Sequence, residues 1–438
     1  MDRPPSDQIV CVVGAGYVGL VTGICLADSG RTVHLVEIEP RRLELLRSGR
    51  CPIHEPGLEE MLQRLQAAGR VHVTGDLAVG VRDAGIVMIA VGTPPTEDGE
   101  ADLSQVRDAV ASAGANAARG AVIAVKSTIP PGTTASMVGS RLAAGFPLVS
   151  CPEFLREGSA IHDFNNPTRI VVGGADRTAC DRVAALFEHL GAPVIVTDST
   201  SAEMVKYGTN TFLALKISFI NEIAHLCELT GAEVSAVADG MGMDPRVGRA
   251  FLNAGLGFGG SCFPKDVRAL EAAAAEHGHS FWMLKSAIEV NLMQRRRFVA
   301  KVREAVGGSL DGTRLGVLGL AFKPGTDDLR QAPALDVIRH LEKMGATVTA
   351  TDPAALEGAR PLLAGTRLVT EAYECVRGTD AVVLVTEWPE YRDLDWARVG
   401  QTVARRIVVD GRNCLDGAEL ARLGFAYHSV GRRPSLPD

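Results

Sequence analysis

Ile9-Val10-Cys11-Val12-Val13 shows no polar alternation and runs directly into Gly14-Ala15-Gly16-Tyr17-Val18-Gly19. An unbroken apolar run of this kind reads as a parallel strand covered on both faces. An apolar helical stretch follows to about Ser29, is stopped by Gly30, and gives way to a second strand from Thr32 to Ile38. Strand, glycine turn, helix and strand in that order open a doubly wound α/β domain with a dinucleotide at the first turn. Gly14 permits the turn, Gly16 lets the backbone approach a pyrophosphate, and Gly19 lets the helix pack closely on the sheet. The start of the helix offers its N–H groups to the anion. Glu37 lies 18 positions beyond Gly19, where an acidic side chain would hold ribose hydroxyls. A carboxylate there repels a 2′-phosphate, so NAD is favoured over NADP; the basic pair Arg41 and Arg42 pulls the other way.

Several classes are excluded. Residues 9–27 form a 19-residue stretch without charge, long enough to cross a bilayer. Gly14 and Gly16 would break such a helix in its middle, and Met1 to Gln8, with two Asp and one Arg, lacks the basic start of a signal peptide. No membrane partner is expected. With 45 basic and 52 acidic residues, a net charge of -7 supplies no basic surface for nucleic acid. Nine cysteines, an odd count without a Cys-x-x-Cys pair, suggest neither a disulfide framework nor a metal site and fit a reducing, cytoplasmic compartment.

Further strand-like runs are Val71 to Thr74, Ile86 to Val91, Val122 to Val125, Leu148 to Ser150, Ile170 to Val172 and Val194 to Thr197. Three polar turns sit at their ends: Gly92-Thr93-Pro94-Pro95, Lys126-Ser127-Thr128 and Cys151-Pro152-Glu153. Ligands of open α/β sheets bind beyond such strand ends. Thr200-Ser201-Ala202-Glu203 reads as a capping box opening a helix to about Thr230, with Gly231 as its stop. Lys206 and Asn210, four apart, share one face of it. In Gly255-Leu256-Gly257-Phe258-Gly259-Gly260-Ser261-Cys262-Phe263-Pro264-Lys265-Asp266, four glycines bring the backbone up to a cysteine just before a helix start. A helix N-terminus and Lys265 would both favour the thiolate, making Cys262 a nucleophile, and Asp266 would position a water or a lysine. The other eight cysteines read as core thiols.

In the last third, Leu315-Gly316-Val317-Leu318 predicts a strand, and a helix from about Ala334 to Met344 precedes another strand at Thr347. The segment from Gly345 to Asp352-Pro353 echoes that from Gly30 to Glu39-Pro40, as a remote duplication would. This second α/β unit lacks the glycine fingerprint, so it should not hold a dinucleotide in the same way. Lys323 and Arg412 fall at strand ends, either as anion ligands or as plain surface charges. The expected architecture is two Rossmann-like doubly wound parallel-sheet domains joined by a long central helix. The expected boundaries are 1–198 for dinucleotide binding, 199–300 for a central helical and dimerisation domain with the cysteine loop, and 301–438 for a second nucleotide domain.

These features resemble the UDP-glucose/GDP-mannose (nucleotide-sugar) dehydrogenase family over nearly the whole chain. The most specific pieces are His54-Glu55-Pro56-Gly57-Leu58, Val91-Gly92-Thr93-Pro94, Ser127-Thr128-Ile129-Pro130, Pro152-Glu153-Phe154-Leu155-Arg156-Glu157-Gly158, Lys206-x-x-x-Asn210, the Gly259-to-Asp266 run and Phe322-Lys323. The resemblance implies oxidation of the C6 alcohol of a nucleotide sugar to a carboxylate with two NAD in succession, through a thiohemiacetal and a thioester on Cys262. UDP-glucose is the expected substrate; dTDP-glucose, GDP-mannose and UDP-N-acetylhexosamines are alternatives, and a two-electron hydroxyacid dehydrogenase is a more distant one. It further implies that Lys206, Asp266, Asn210, Thr128 and Glu153 assist Cys262. Glu37, Arg42, Thr93, Thr128, Glu157, Lys265 and Arg330 would touch NAD. Phe154, Leu155, Arg156, Glu157, Lys206, Asn210, Phe251, Leu252, Asn253, Ala254, Gly255, Gly259, Phe322, Lys323 and Arg412 would line the nucleotide-sugar site. Arg246 would reach the substrate of a neighbouring subunit in a homodimer. Cys151, where Asn before Pro-Glu is usual, and Glu37, in place of a more frequent Asp, depart from the family pattern.

Overall fold

A computed structural model describes residues 6–437. They fold as two units, one of residues up to Thr209 with Arg268–His279, the other of Asn210–Val267 with the residues from Ser280 onward. The first contains β1 (Ser6–Val13), β2 (Thr32–Val36), β3 (Val71–Thr74), β4 (Ala84–Ile89), β5 (Val122–Val125), β6 (Leu148–Ser150), β7 (Ile170–Gly173) and β8 (Val194–Thr197). Their order is β3-β2-β1-β4-β5-β6-β7-β8. All neighbours are parallel except β6 and β7, which meet antiparallel at Ser150 and Gly173. The sheet is covered on both sides, which explains the lack of polar alternation in β1. Val10 and Val12 join one core with Leu20, Val21 and Ile24 of the helix Tyr17–Asp28, while Cys11 and Val13 join the other with Val106, Val110 and Met137.

The glycine turn is built as its spacing predicts. Gly14 adopts φ +95° and donates its N–H to Val36 O at 2.9 Å. A Cβ on Gly19 would lie 1.9 Å from Gly14 O, so the helix can approach the turn only with glycine there. Gly19→Ala is therefore expected to destabilise the first unit by about 1–3 kcal/mol through overpacking, seen as a lower urea midpoint. An unchanged midpoint would contradict this packing.

The helix Ser199–Thr230 runs from the first unit into the second and ends at Gly231, φ +81°. Its start corrects the capping-box reading. Asp198, not Thr200, caps the helix, accepting the Ser201 N–H at 2.8 Å and the Ser201 hydroxyl at 2.7 Å. Asp is a strong cap and stands where the first N–H groups point. Glu203 is instead buried, accepting Gly132 N at 2.6 Å and Thr134 N at 3.0 Å at the start of the helix Thr133–Gly139, and burial pushes its carboxyl up.

The second unit contains β9 (Arg314–Leu318), β10 (Thr347–Thr351), β11 (Arg367–Leu368), β12 (Ala381–Leu384), β13 (Ile407–Asp410) and β14 (Ala426–Ser429), all parallel, in the order β11-β10-β9-β12-β13-β14. Around the point where strand order reverses this repeats the strand order of the first sheet, the related architecture that the sequence echo predicts. Beside the counterpart of the glycine turn lies a buried acidic side chain. Asp352 accepts Leu320 N at 2.7 Å, Ala321 N at 3.0 Å, Ala354 N and Ala355 N at 2.9 Å, and Trp388 Nε1 at 3.1 Å. Its carboxylate is thus consumed by the fold. Among the described residues no helix is long and apolar enough to cross a membrane.

Candidate active site

In the first unit, strand order reverses between β1 and β4, where a ligand crevice opens in doubly wound sheets. The helix beginning after Gly16 has no side-chain cap and no acidic residue in its first turn, which leaves its positive end to an anion. Nothing lies within 4 Å of where a Gly16 Cβ would be, so a pyrophosphate has room against that backbone. Glu37 is buried at the end of β2, accepting Glu39 N at 2.9 Å and Ala15 N at 3.3 Å, which fixes the carboxylate beside the glycine turn. The residues present fit a dinucleotide. Arg42 is exposed; its main-chain N–H donates to Glu39 at 2.7 Å. Ile38, which the sequence pattern places in the strand, lies beyond its end at Val36 and is 80% exposed beside Glu37.

The turns after β4 and β5 are tied together. Thr93 Oγ1 donates to Thr128 O at 3.0 Å and Ser127 Oγ to Val91 O at 2.6 Å. Beyond β6, Glu153 is buried and pairs with the buried Lys206 ammonium at 2.9 Å, while its second oxygen accepts Leu155 N at 2.5 Å. Burial alone would raise the Glu153 carboxyl, but Lys206, the Leu155 amide and the more distant Lys126 hold it below its ordinary range. The Phe154 ring has the Arg169 guanidinium 3.9 Å from its centre and the Lys206 ammonium at 5.4 Å. Lys126, buried with its ammonium 5.5 Å from the Phe187 ring, was named only as part of a polar turn, and Arg169 was missed, since single basic residues in turns carry no spacing signal. Arg156 is exposed and held by Asp163 through Nε at 2.9 Å and Nη2 at 2.6 Å; Glu157 is partly buried. Cys151 is buried, and its thiol is pushed up by that burial.

In the second unit, Cys262 is partly exposed directly before the helix Phe263–Glu276, as expected. Its carbonyl accepts Asp266 N at 2.8 Å, and Ser261 Oγ lies 3.6 Å from its sulfur. Asp266, 1% exposed, accepts Asn210 Nδ2 at 2.6 Å on one oxygen and Lys265 Nζ at 2.7 Å on the other. Asn210 and the cysteine helix are thereby joined, and Lys206 lies one turn before Asn210 on the long helix.

The glycine loop before Cys262 is held closely by its neighbours. Gly257 adopts φ +87°, and a Cβ there would sit 2.1 Å from Asn291 Oδ1. Four buried polar residues that the sequence reading missed grip the loop: Asn221 accepts Gly255 N at 2.9 Å, Asn291 accepts Phe258 N at 2.8 Å, and Gln294 and Arg295 donate to Gly255 O at 2.8 Å and Phe258 O at 3.0 Å. Their signal was the i, i+3, i+4 spacing of Asn291, Gln294 and Arg295 on a helix. Gly259 abuts Gln331 O, and Gly260 abuts Phe322. Leu252, Ala254 and Gly255 are buried, and Asn253 is exposed, accepting from Arg249 at 2.8 Å. Three residues other than glycine take left-handed φ beside expected ligand residues: Phe251 (+64°), Gln331 (+52°) and Asn413 (+56°). Such strain persists only where the surroundings impose it, and it concentrates at functional sites. Arg412 is set at the strand ends by Val385 O at 2.7 Å and Phe322 O at 2.9 Å, and Lys323 lies 5.4 Å from the Phe322 ring centre. Arg330 and Arg246 are exposed and turn to Asp328 and Asp244. No cluster of ligating side chains that could hold a metal occurs among the described residues.

A dinucleotide turn on one doubly wound sheet, together with a cysteine, a carboxylate and polar side chains on the long and following helices, belongs to an NAD-dependent oxidoreductase. Three family models match in succession: the NAD binding domain of the UDP-glucose/GDP-mannose dehydrogenase family over residues 8–191, its central domain over 200–292 and its UDP binding domain over 316–417. The UDP-glucose 6-dehydrogenase TuaD of Bacillus subtilis (strain 168) is 44% identical over 97% of this chain and 93% of its own. That of Rhizobium meliloti (strain 1021) is 43% identical over 97% and 99%. A solved UDP-glucose dehydrogenase from Pyrobaculum islandicum superposes with a TM-score of 0.89 at 38% identity, covering 99% of this chain and 100% of the other. A UDP-D-ManNAc dehydrogenase from Pyrococcus horikoshii gives 0.86 at 28% identity, covering 97% and 99%. The chain belongs to the UDP-glucose/GDP-mannose dehydrogenase family.

Proposed function

We propose that the chain oxidises the C6 hydroxymethyl of UDP-glucose to the carboxylate of UDP-glucuronate, with Cys262 holding the half-oxidised sugar. The observation that carries this reading is the partly exposed Cys262 at a helix start, beside an Asp266 already bonded to Asn210 and Lys265. Bound NAD supplies a hydride acceptor at C6 in each of two rounds. In the first round Asp266 takes the hydroxyl proton, leaving an aldehyde. The Cys262 sulfur then bonds to C6 and the former carbonyl oxygen takes a proton, giving a thiohemiacetal whose oxygen Asn210 and Lys206 stabilise. Loss of that proton and of a second hydride gives the thioester. Water directed by Asp266 or by Glu153 and Thr128 adds to C6, the C6–S bond breaks, and the thiol is restored. One alcohol, one water and two NAD thus give one carboxylate, two NADH and three protons.

Arg412, Lys323 and residues 154–157 and 251–255 line the nucleotide-sugar site in this reading, and Glu37 selects NAD. The UDP-glucose relatives favour UDP-glucose, and the UDP-D-ManNAc neighbour is why the test spans several sugars. NADH formation should be followed with UDP-glucose, dTDP-glucose, GDP-mannose and UDP-N-acetylhexosamines. UDP-glucose is expected to give the highest kcat/KM; a higher value for another sugar reassigns the substrate.

The chain acts in the cytoplasm as a homodimer. In support, Phe212, Phe219 and Leu226, seven residues apart along the long helix, are 62%, 53% and 54% exposed, and Trp282 and Met283 are also bare. Arg246, pointing outward, would then reach the partner's substrate. Phe219→Asp is expected to convert a dimer into a monomer by light scattering; an unchanged mass would refute this surface.

A further inference from the structure

His54-Glu55-Pro56-Gly57-Leu58 is left without a role by the chemistry above. Glu55 is 7% exposed, and both its oxygens are engaged. Oε2 accepts the Tyr17 hydroxyl and Gly158 N at 2.7 Å; Oε1 accepts Ala160 N at 2.7 Å and Ile161 N at 3.4 Å. The Tyr17 oxygen also lies 2.5 Å from Gly158 N. A buried carboxylate is tolerated when such donors replace water.

The partners stand at two informative places. Tyr17 is the first residue of the helix that starts after Gly16, so its backbone adjoins the dinucleotide turn. Gly158, at φ +77°, is the turn that ends the Phe154–Glu157 segment. Ala160 and Ile161 open the helix Ala160–Asn165, whose own Ser159 provides no side-chain cap, so Glu55 supplies the cap from 105 residues away. A carboxylate needed only for that cap would have no use for a tyrosine hydroxyl from the dinucleotide helix.

We propose that Tyr17 and Glu55 are a positioning pair, holding the nucleotide-sugar segment in register with the dinucleotide turn so that each ligand strengthens binding of the other. This rests on the functional reading for the assignment of residues 154–157 to the nucleotide sugar. Filling the turn steadies the start of the Tyr17 helix, the hydroxyl steadies Glu55 and Gly158, and the sugar segment is preset. Such coupling must be reciprocal.

The test measures the Kd of UDP-glucose by calorimetry on the full chain, without and with saturating NADH. In the natural protein NADH is expected to tighten UDP-glucose by at least about fivefold. In Tyr17→Phe, which loses only the hydroxyl, the ratio should fall to within about twofold of one. There the urea midpoint and the Kd of NADH alone should stay near those of the natural protein, and the KM for UDP-glucose should rise with little change in kcat. Glu55→Asp, too short to reach both ends, should lose the ratio as well and serves if Tyr17→Phe does not fold. A ratio near one in the natural protein, or an intact ratio in either variant, overturns the pair. A natural protein that makes NADH from UDP-glucose while Tyr17→Phe keeps its ratio refutes the pair and leaves the functional reading standing. A natural protein inert toward every sugar refutes both.

Discussion

Cys262→Ala is expected to lower formation of the nucleotide-sugar acid by roughly 10³-fold or more, about 4 kcal/mol of transition-state stabilisation. The substitution removes one partly exposed sulfur from a loop held by Asn221, Asn291, Gln294 and Arg295, so the fold should survive. In the proposed mechanism it removes the atom to which C6 bonds between the two oxidations. The first hydride transfer does not need that bond, whereas a thioester cannot form without it. Product analysis by mass spectrometry should find aldehyde or its hydrate in place of acid. Acid formation at the natural rate, with two NADH per sugar, would refute the thiol mechanism.

Lys206→Met should cost both stability and turnover. Lys206 and Glu153 form a buried pair at 2.9 Å, and removing one partner leaves the other charge stranded, a loss of about 3–5 kcal/mol. Turnover should fall by about 10²–10³-fold if the ammonium stabilises the oxygen on C6. The pH dependence identifies the cause. In the natural protein the Glu153 carboxyl is lower when folded than when unfolded, so its stabilisation is complete above the ordinary carboxylate range and fades as pH falls through the folded value. Without Lys206, burial dominates and raises the carboxyl, so the variant gains stability as pH falls. The difference between the two proteins is therefore widest at neutral pH and narrows in acid. Urea unfolding at pH 7 and pH 5 reads it, and an equal gap at both would show that the pair is not its source.

What the sequence revealed follows from how far each signal reaches along the chain. The dinucleotide turn was legible because strand, glycines, helix and Glu37 lie within one βαβ unit, where each residue type is forced locally. The Cys262 loop was legible for the same reason. Lys206 and Asn210 could be placed on one helix face, but their partners could not, because Glu153 and Asp266 are 53 and 56 residues away. The capping box failed where two local rules competed and Asp198 satisfied the helix start first. Glu203 then served a helix some 70 residues earlier in the chain. Asn221 left no signal as a site residue because it satisfies a backbone group of a distant loop; Asn291 was marked only by a helix-face spacing and Glu55 only by its family-like segment, neither of which indicates the loop it holds.

The most direct test is the stoichiometry of one complete reaction. UDP-glucose in limiting amount should yield two NADH per sugar consumed, with no aldehyde released at any time, because the proposed intermediate stays on sulfur. One NADH per sugar, with aldehyde accumulating in solution, would contradict the account.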